Sequence, residues 1–446
     1  MRLRTDEIAR VVAGAHRGPV VDVDGATIDS RALTGGELFV PVVAERDGHD
    51  FIEDALGAGA GAYLTARAPG AGTSITVGDT QAALAVLGAH ARDRLADGLA
   101  DRVIGITGSV GKTSVKDLVV AALGAGRRVA ASERSFNNEL GVPLTLLNAA
   151  NDTEALAIEL GARGRGQIAR LCALCRPTVG VVTVVALVHA ETFGTIGEVA
   201  AAKGELVESL PRTGTAVLNA DDARVAAMAG RTDARVLTYG RGLGADIGAD
   251  HVVLDAELRP CFGLVTPWGR AEVHLPVHGE HMVTNALAAA AAALACGVAV
   301  DAAAHGLGTA SLSPWRMDLR RAPSGALVLN DAYNANPTSM AAALRALARL
   351  GAGSGRRVAV LGAMAELGES SAEAHRSVAA LAESLGTEVV AVDTAAYGVE
   401  PVAGLDGARS VLAALGLGPG DAVLVKASRV VGLERLVESL LATGPT

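Results

Sequence analysis

Aromatic side chains are scarce in this chain, with five Phe, four Tyr and two Trp in 446 residues. Any core must therefore be aliphatic, and half of the residues are apolar, mostly Ala, Val and Leu. Cysteine is equally sparse. Cys172, Cys175, Cys261 and Cys296 are too few and too scattered for a disulfide framework. The C-x-x-C at 172–175 continues a helical pattern with no second pair or His at ligand spacing, so it reads as buried thiols. No apolar run is long enough to span a bilayer: the longest, around Ala286 to Val300, is Ala-rich and short, and the start MRLRTDEIAR carries no apolar leader. A net charge of −9 excludes a general nucleic-acid binder, which needs a basic surface. These absences predict a cytoplasmic protein that acts on small soluble ligands without membrane insertion. With no coiled-coil pattern either, a monomer is expected.

Lysine is the most telling scarcity. Only Lys112, Lys116, Lys203 and Lys426 stand among 39 basic residues. Where Arg fills nearly every cationic position, a retained Lys marks a place that needs a compact charge or a primary amine.

Against that background one stretch stands out, GITGSVGKTS from Gly105 to Ser114. An apolar run through Val103 and Ile104 reads as a buried strand, and Val115 to Val120 has helical spacing. A strand feeding a glycine-rich turn that opens a helix aims backbone N–H groups and the positive helix end at one point, where phosphate binds. The spacing departs from G-x-x-x-x-G-K-[ST], because position 106 is Ile and a glycine sits at 108. Gly108, Ser109 and Gly111 form the turn, Lys112 reaches outer phosphates, and Thr113, followed by Ser114, offers a hydroxyl to Mg²⁺.

The chain divides into three segments. Residues 1–97 read as a small α/β domain, with Thr5 as a helix cap, strand-like runs at 37–42, 62–64 and 74–77, and a helix over 81–95. Ser30 and Arg31 lie in a loop that fits either a solvated surface or a binding pair. Residues 98–312 alternate strand and helix around the P-loop, with further strands at 155–159, 179–185 and 215–219. That alternation predicts a doubly wound, mostly parallel sheet. Ligands in such sheets bind at the carboxyl ends of strands, which brings Glu159, His189 with Glu191, and Asn219 to Asp222 towards the phosphates. Glu159 closing an apolar strand needs a cation, which Mg²⁺ supplies, and His189 fits a metal ligand. Asn285, one turn into an alanine helix, suits an adenine edge. Residues 313–446 predict a second open α/β sheet, Rossmann-like, from strands at 326–329, 357–362, 388–392 and 422–425. It has no G-x-G-x-x-G, so NAD is not expected.

In this order, G-x-T-G-S-x-G-K-T, NNELGVP at 137–143, IELGA at 158–162, H-x-E at 189–191, AAKGEL at 201–206 and DAYNANPTSM at 331–340 resemble the Mur ligase family across essentially the whole chain. The DSR and DGHDF elements near the start, with NNELGVPLTLL, bring it nearest to the branch that joins D-Ala-D-Ala to a UDP-linked muramoyl tripeptide for peptidoglycan. The resemblance implies an N-terminal domain for the UDP part, a central ATPase, and a C-terminal domain that closes over ATP. It also implies an acyl phosphate, formed from ATP at the tripeptide carboxylate and attacked by the dipeptide amine.

Residue by residue, the same resemblance implies that Lys112 neutralises ATP oxygens, that Thr113 and Glu159 hold one Mg²⁺, and that His189 and a carbamylated Lys203 hold a second. It places His281 and Asn285 at adenine, Arg316 at the γ-phosphate and Asp331 at the ribose. Ser30 and Arg31 fall to the UDP end, Asn137 and Asn138 to the substrate, and Asn334, Asn336 and Lys426 to the dipeptide side or domain junction. Departures from the family pattern fall at Val184, Met282, Ala363 and Ala427, near the adenine and the acceptor. They motivate a second reading, a ligase joining a different carboxylate and amine; a third alternative is a noncatalytic nucleotide-binding protein that keeps the scaffold.

Overall fold

The computed structural model describes residues 1–133, 136–187, 190–350 and 355–442. Its central feature is a six-stranded, wholly parallel sheet. The P-loop strand, Val103–Thr107, lies inside it between Ala155–Glu159 and Val179–Val182; Val129–Ala131 closes one edge, and Thr215–Asn219 and Arg235–Tyr239 the other. The order in which the chain adds strands reverses around the P-loop strand, with the next two strands on one side of it and the later ones on the other. A doubly wound sheet leaves its ligand crevice at such a switch point. These strands read as continuous apolar runs because both faces are covered.

The P-loop helix, Lys112–Gly124, packs against the alanine helix, His281–Ala295, whose residues Ala286 to Ala293 are fully buried. Alanine has high helix propensity and almost no side-chain bulk, so two helices can approach closely without aromatic filler. On the other side of the alanine helix lies a three-stranded antiparallel sheet, Gly248–Leu254, Pro260–Thr266 and Gly269–His274, which the sequence reading did not anticipate.

The N-terminal sheet is mixed and five-stranded, in the order Ala15–Arg17, Ser74–Thr76, Ala62–Thr65, Leu38–Phe39, Ala26–Thr27. Thr5 is not an N-cap. It is the first helical residue of Thr5–Val11, and its Oγ1 accepts from Val21 N (3.1 Å), stapling the helix to the following loop. The helix Thr80–Arg94 packs on Gly141–Asn148, and Met1 N and Asn148 complete backbone bonds between the two regions.

The C-terminal sheet runs Asp318–Arg321, Leu327–Asn330, Ala422–Lys426, Arg357–Leu361, Glu388–Ala391, parallel except for its first strand. The link from the alanine-helix region is anchored: Ser313 donates from N (2.7 Å) and Oγ (3.1 Å) to Asp117 on the P-loop helix. Among the described residues, no helix is long and apolar enough to cross a membrane.

Candidate active site

At the carboxyl ends of the central strands lies a cavity of about 1180 Å³, closed on its far side by the C-terminal segment. Six cationic side chains line it (Lys112, Arg163, Lys203, Arg316, Lys426 and Arg429) against four carboxylates (Glu139, Glu159, Asp331 and Glu366). A positive chamber in a chain of net charge −9 is built for an anion.

The turn that forms its floor tolerates only glycine at two points. Gly108 has φ +143°, and a Cβ there would lie 1.9 Å from Thr183 Oγ1. Gly111 has φ +86° and faces Asn285 Oδ1. Ser109 is bound on both sides of its hydroxyl, donating to Ala186 O (2.7 Å) and accepting from Ala186 N (2.9 Å). Lys112 folds back over the turn and donates to Gly108 O (2.9 Å). Burial pushes its pKa down and Glu159 opposes that shift. A cation held only by carbonyls leaves charge for a phosphate. Ser114 is buried in the same cavity wall.

Glu159 ends its strand almost wholly buried, with both oxygens engaged by neutral donors: Thr113 Oγ1 at 2.8 Å and Asn137 Nδ2 at 2.8 Å. Neutral donors do not offset a buried carboxylate charge, so the Thr113–Glu159 pair is chemically suited to a hard divalent cation. Asn138 instead caps the helix that follows, its Oδ1 accepting from Gly141 N (3.0 Å).

Lys203 lies on the helix Ile196–Glu208, almost fully buried. Burial first, and the charge of Lys112 second, push its pKa down to about 7, against the pull of Glu159 and Glu205. At neutral pH a large fraction of this amine is therefore unprotonated and nucleophilic. Glu205 in the same motif is structural: its carboxylate accepts from Gly166 N (2.6 Å) and Ala169 N (3.1 Å) at the start of the helix Gln167–Cys175. His189 lies outside the described residues.

From the C-terminal segment Arg316 reaches across, and its Nη2 donates to Thr113 Oγ1 (3.0 Å). Its guanidinium sits 3.9 Å from the Tyr333 ring centroid, and its Nε is buried without a partner among the described residues. Trp315 and Met317, on either side of it, both have positive φ (+63° and +51°). Such strain at non-glycine residues persists only where the surroundings enforce it. Asp331 accepts from Lys426 Nζ (2.5 Å) and Met317 N (3.2 Å), so it braces the strained turn as well as facing the cavity. Lys426 is fully buried and also donates to Asn334 O (2.8 Å); burial lowers its pKa while Asp331 raises it. His281 is half-buried beside Gly279, and desolvation lowers its pKa.

The structure thus gathers Gly108, Ser109, Gly111, Lys112, Thr113, Ser114, Asn137, Asn138, Glu159, Lys203, His281, Asn285, Arg316, Asp331, Asn334, Asn336 and Lys426 around one cavity. It does not gather Ser30 and Arg31. They form a short 3₁₀ turn in the N-terminal segment, where Arg31 is mostly exposed and pairs with Asp29 (2.8 Å). Asn336 lines the cavity, yet its side chain is committed to capping the helix Pro337–Arg349 through Ser339 N (2.9 Å). Sequence reasoning missed Tyr333, and it missed Arg163, which pairs with Glu366 across the mouth (3.2 Å). The place of Tyr333 inside DAYNANPTSM was the available signal for the first; nothing in the sequence pairs the second.

Comparison with known proteins decides the lineage. The family model described as Mur ligase middle domain matches residues 106–293, and that of the Mur ligase, glutamate ligase domain matches 315–429. The chain belongs to the Mur ligase family. Among curated Mur ligases it is 39% identical to the UDP-N-acetylmuramoyl-tripeptide--D-alanyl-D-alanine ligase of Mycobacterium tuberculosis, covering 99% of this chain and 98% of that one. The enzyme of the same name from Escherichia coli is 34% identical, with 98% of each chain covered. Among solved structures, MurF from Acinetobacter baumannii superposes with a TM-score of 0.87 at 28% identity, covering 99% of both chains. MurF from Thermotoga maritima, solved in complex with ADP, gives 0.80 at 29% identity, covering 94% of this chain and 97% of that one.

Against this family the four departures have local explanations. Val184 presents a backbone carbonyl, which accepts from Ser109 N (2.7 Å), so its side-chain identity does not alter that bond. Met282 Sδ accepts from Asn285 Nδ2 (3.5 Å). The small Ala427 side chain packs against Gly362, where any added Cβ would come within 2.7 Å of it, and Ala363 O accepts from Ser428 N (3.1 Å).

Proposed function

We propose that this protein is an ATP-dependent ligase that joins D-Ala-D-Ala to the terminal carboxylate of a UDP-N-acetylmuramoyl tripeptide, a step of peptidoglycan precursor synthesis. The observation that carries the reading is end-to-end identity of 34–39% with ligases named for that reaction. The cavity agrees with it chemically, since it offers a glycine turn, a phosphate-facing lysine and a buried Thr–Glu pair at one point. Bound ATP with Mg²⁺ would supply the phosphoryl group that activates the carboxylate for displacement by the amine.

In this proposal Lys112 and the N–H groups of the turn hold phosphate oxygens, and Thr113 and Glu159 hold Mg²⁺. His189 and Lys203 serve a second ion. Lys203 would react as a neutral amine with CO₂: an N–C bond forms as one C=O π bond opens, one proton leaves to solvent, and the neutral amine becomes an anionic, carboxylate-type ligand. Its lowered pKa supports that step. Arg316 faces the transferring phosphate, while Asn285, His281 and Asp331 border the nucleoside. Asn137 and Asn138 meet the peptide substrate; Asn334, Asn336 and Lys426 border the amine side, with Asn336 acting through the helix it caps. Ser30 and Arg31 are assigned to the UDP end.

Residues 1–97, 98–312 and 313–446 are taken as the UDP-binding, ATP-binding and closing domains. We take the protein to act as a monomer in the cytoplasm, where its ATP would be supplied. The deciding assay is ATP-dependent phosphate release with UDP-muramoyl tripeptide, with and without D-Ala-D-Ala, read together with product mass. Dipeptide-dependent release with the matching mass gain supports the reading. ATP binding without amide product from any UDP-muramoyl tripeptide overturns it, in favour of a ligase with another acceptor.

A further inference from the structure

On the face of the antiparallel sheet turned away from the alanine helix, three ligand-type side chains converge well outside the cavity. Cys261 stands directly across from His274, and Glu272 is two residues before His274 on the same strand face. The neighbouring pair, Pro260 with Leu275, carries the interstrand hydrogen bond (Leu275 N to Pro260 O, 2.8 Å). Cys261 and His274 therefore form a non-hydrogen-bonded pair, the type that brings opposed side chains closest. Phe262, Leu264 and Val273 point the other way, into the core, which fixes the face on which the three ligands stand. Gly263, opposite Glu272, has no side chain to separate that carboxylate from Cys261.

The distances are informative. Cys261 Sγ is 3.5 Å from Glu272 Oε1 and 3.9 Å from His274 Nε2, and the nitrogen is 3.3 Å from the carboxylate oxygen. A tetrahedral zinc ion with ordinary bond lengths needs edges of about 3.6 Å from sulfur to nitrogen or oxygen and about 3.3 Å from nitrogen to oxygen. The three atoms already occupy approximately one face of such a tetrahedron. Asp250 lies opposite Gly263 on the third strand, with its Oδ2 paired to Arg270 and its Oδ1 buried without a partner among the described residues.

We propose that Cys261, Glu272 and His274 form a surface site for Zn²⁺ or a similar borderline-soft divalent ion, with the fourth position left to water or Asp250. Thiolate, imidazole and carboxylate together select zinc over magnesium, whose preference is for oxygen alone. Binding forms an S–metal bond and releases the Cys261 proton to solvent. The ion then staples two strands of the sheet whose other face packs on the helix carrying His281 and Asn285.

The test uses the full chain under a non-coordinating reductant, with Mg²⁺ in excess to fill oxygen sites, titrated with Co²⁺ as the spectroscopic probe. One Co²⁺ per chain should produce thiolate-to-cobalt absorption in the near ultraviolet, and Zn²⁺ should abolish it by displacement. Cys261→Ser should remove the band. His274→Asn should weaken binding by more than ~10-fold, the least that losing even an outer-shell partner costs. Ligase activity of both variants should match the parent, because neither residue lines the cavity. Absence of the band in the parent, its persistence in Cys261→Ser, or unchanged affinity in His274→Asn would each overturn the site. None of these readouts depends on which carboxylate and amine the enzyme joins.

Discussion

The two ends of the cavity are built on different principles. At the phosphate end, Lys112, Thr113 and Glu159 project from adjacent strands of one parallel sheet and the helix that follows, with contacts of 2.8–2.9 Å. At the acceptor end, Arg163 leaves a loop of the central segment and Glu366 a loop of the C-terminal one, and an exposed ion pair joins them. The three residues of the first arrangement all come from the central segment. The second needs both segments. Under the proposed function, the chemistry would lie on the central scaffold and acceptor selection would depend on closure, which would also exclude water from the activated carboxylate.

Changes at the phosphate end should therefore be the most damaging. Lys112→Ala removes the charge nearest the phosphates, and ligase turnover should fall by at least ~10²-fold, the scale of losing one preorganised electrostatic group. Undiminished turnover would break the comparison outright. Gly108→Ala combines a left-handed backbone with a clash at Thr183 Oγ1, so ATP affinity measured by calorimetry should collapse while the fold, followed by circular dichroism, survives. Wild-type ATP affinity in that variant would mean the turn does not hold the nucleotide.

Lys203 sharpens the same comparison through pH. Its pKa of about 7 keeps it an ammonium below that value and a CO₂-reactive amine above it. In bicarbonate-depleted buffer, added bicarbonate should stimulate activity at pH 8 and have little effect at pH 6. Lys203→Ala should be inactive and partly rescued by acetate, a small carboxylate. Full activity of the untreated variant, or indifference of the parent to bicarbonate at pH 8, would remove the carbamate from the site.

Legibility in the sequence followed the same division. Strands buried on both faces are unbroken apolar runs, so 155–159, 357–361 and 422–426 were readable almost to the residue. The strands 248–254, 260–266 and 269–274 bury one side only, and alternation interrupted by Gly263 and a bulge after Asp250 hides them. The scarce lysines all lie away from open solvent: Lys116, Lys203 and Lys426 are buried, and Lys112 is half-buried on the P-loop. Lys116 serves structure, holding Ser132 O (2.8 Å) and pairing with Asp117 (2.9 Å) beneath Glu159. The Lys426–Asp331 pair was not legible because 95 residues separate partners that only the sheet brings together. Asn138 and Asn336 resemble ligand-binding amides in sequence and are helix caps in space, a double use that asparagine invites.

The smallest expected effect tests the acceptor end. Arg163 and Glu366 are substantially exposed, and an exposed pair contributes about 0.2–1 kcal/mol. Arg163→Ala should therefore raise the KM for the dipeptide only a few-fold and leave the ATP affinity unchanged. In the parent, added salt should mimic part of that loss, because screening acts on exposed charges, and the variant should be less salt-sensitive. If Arg163→Ala instead weakens ATP binding as much as dipeptide use, the two ends of the cavity are coupled through closure. The division between a rigid chemical end and a closure-dependent acceptor end would then give way to a single closing unit, with Arg316 on Thr113 as its joint.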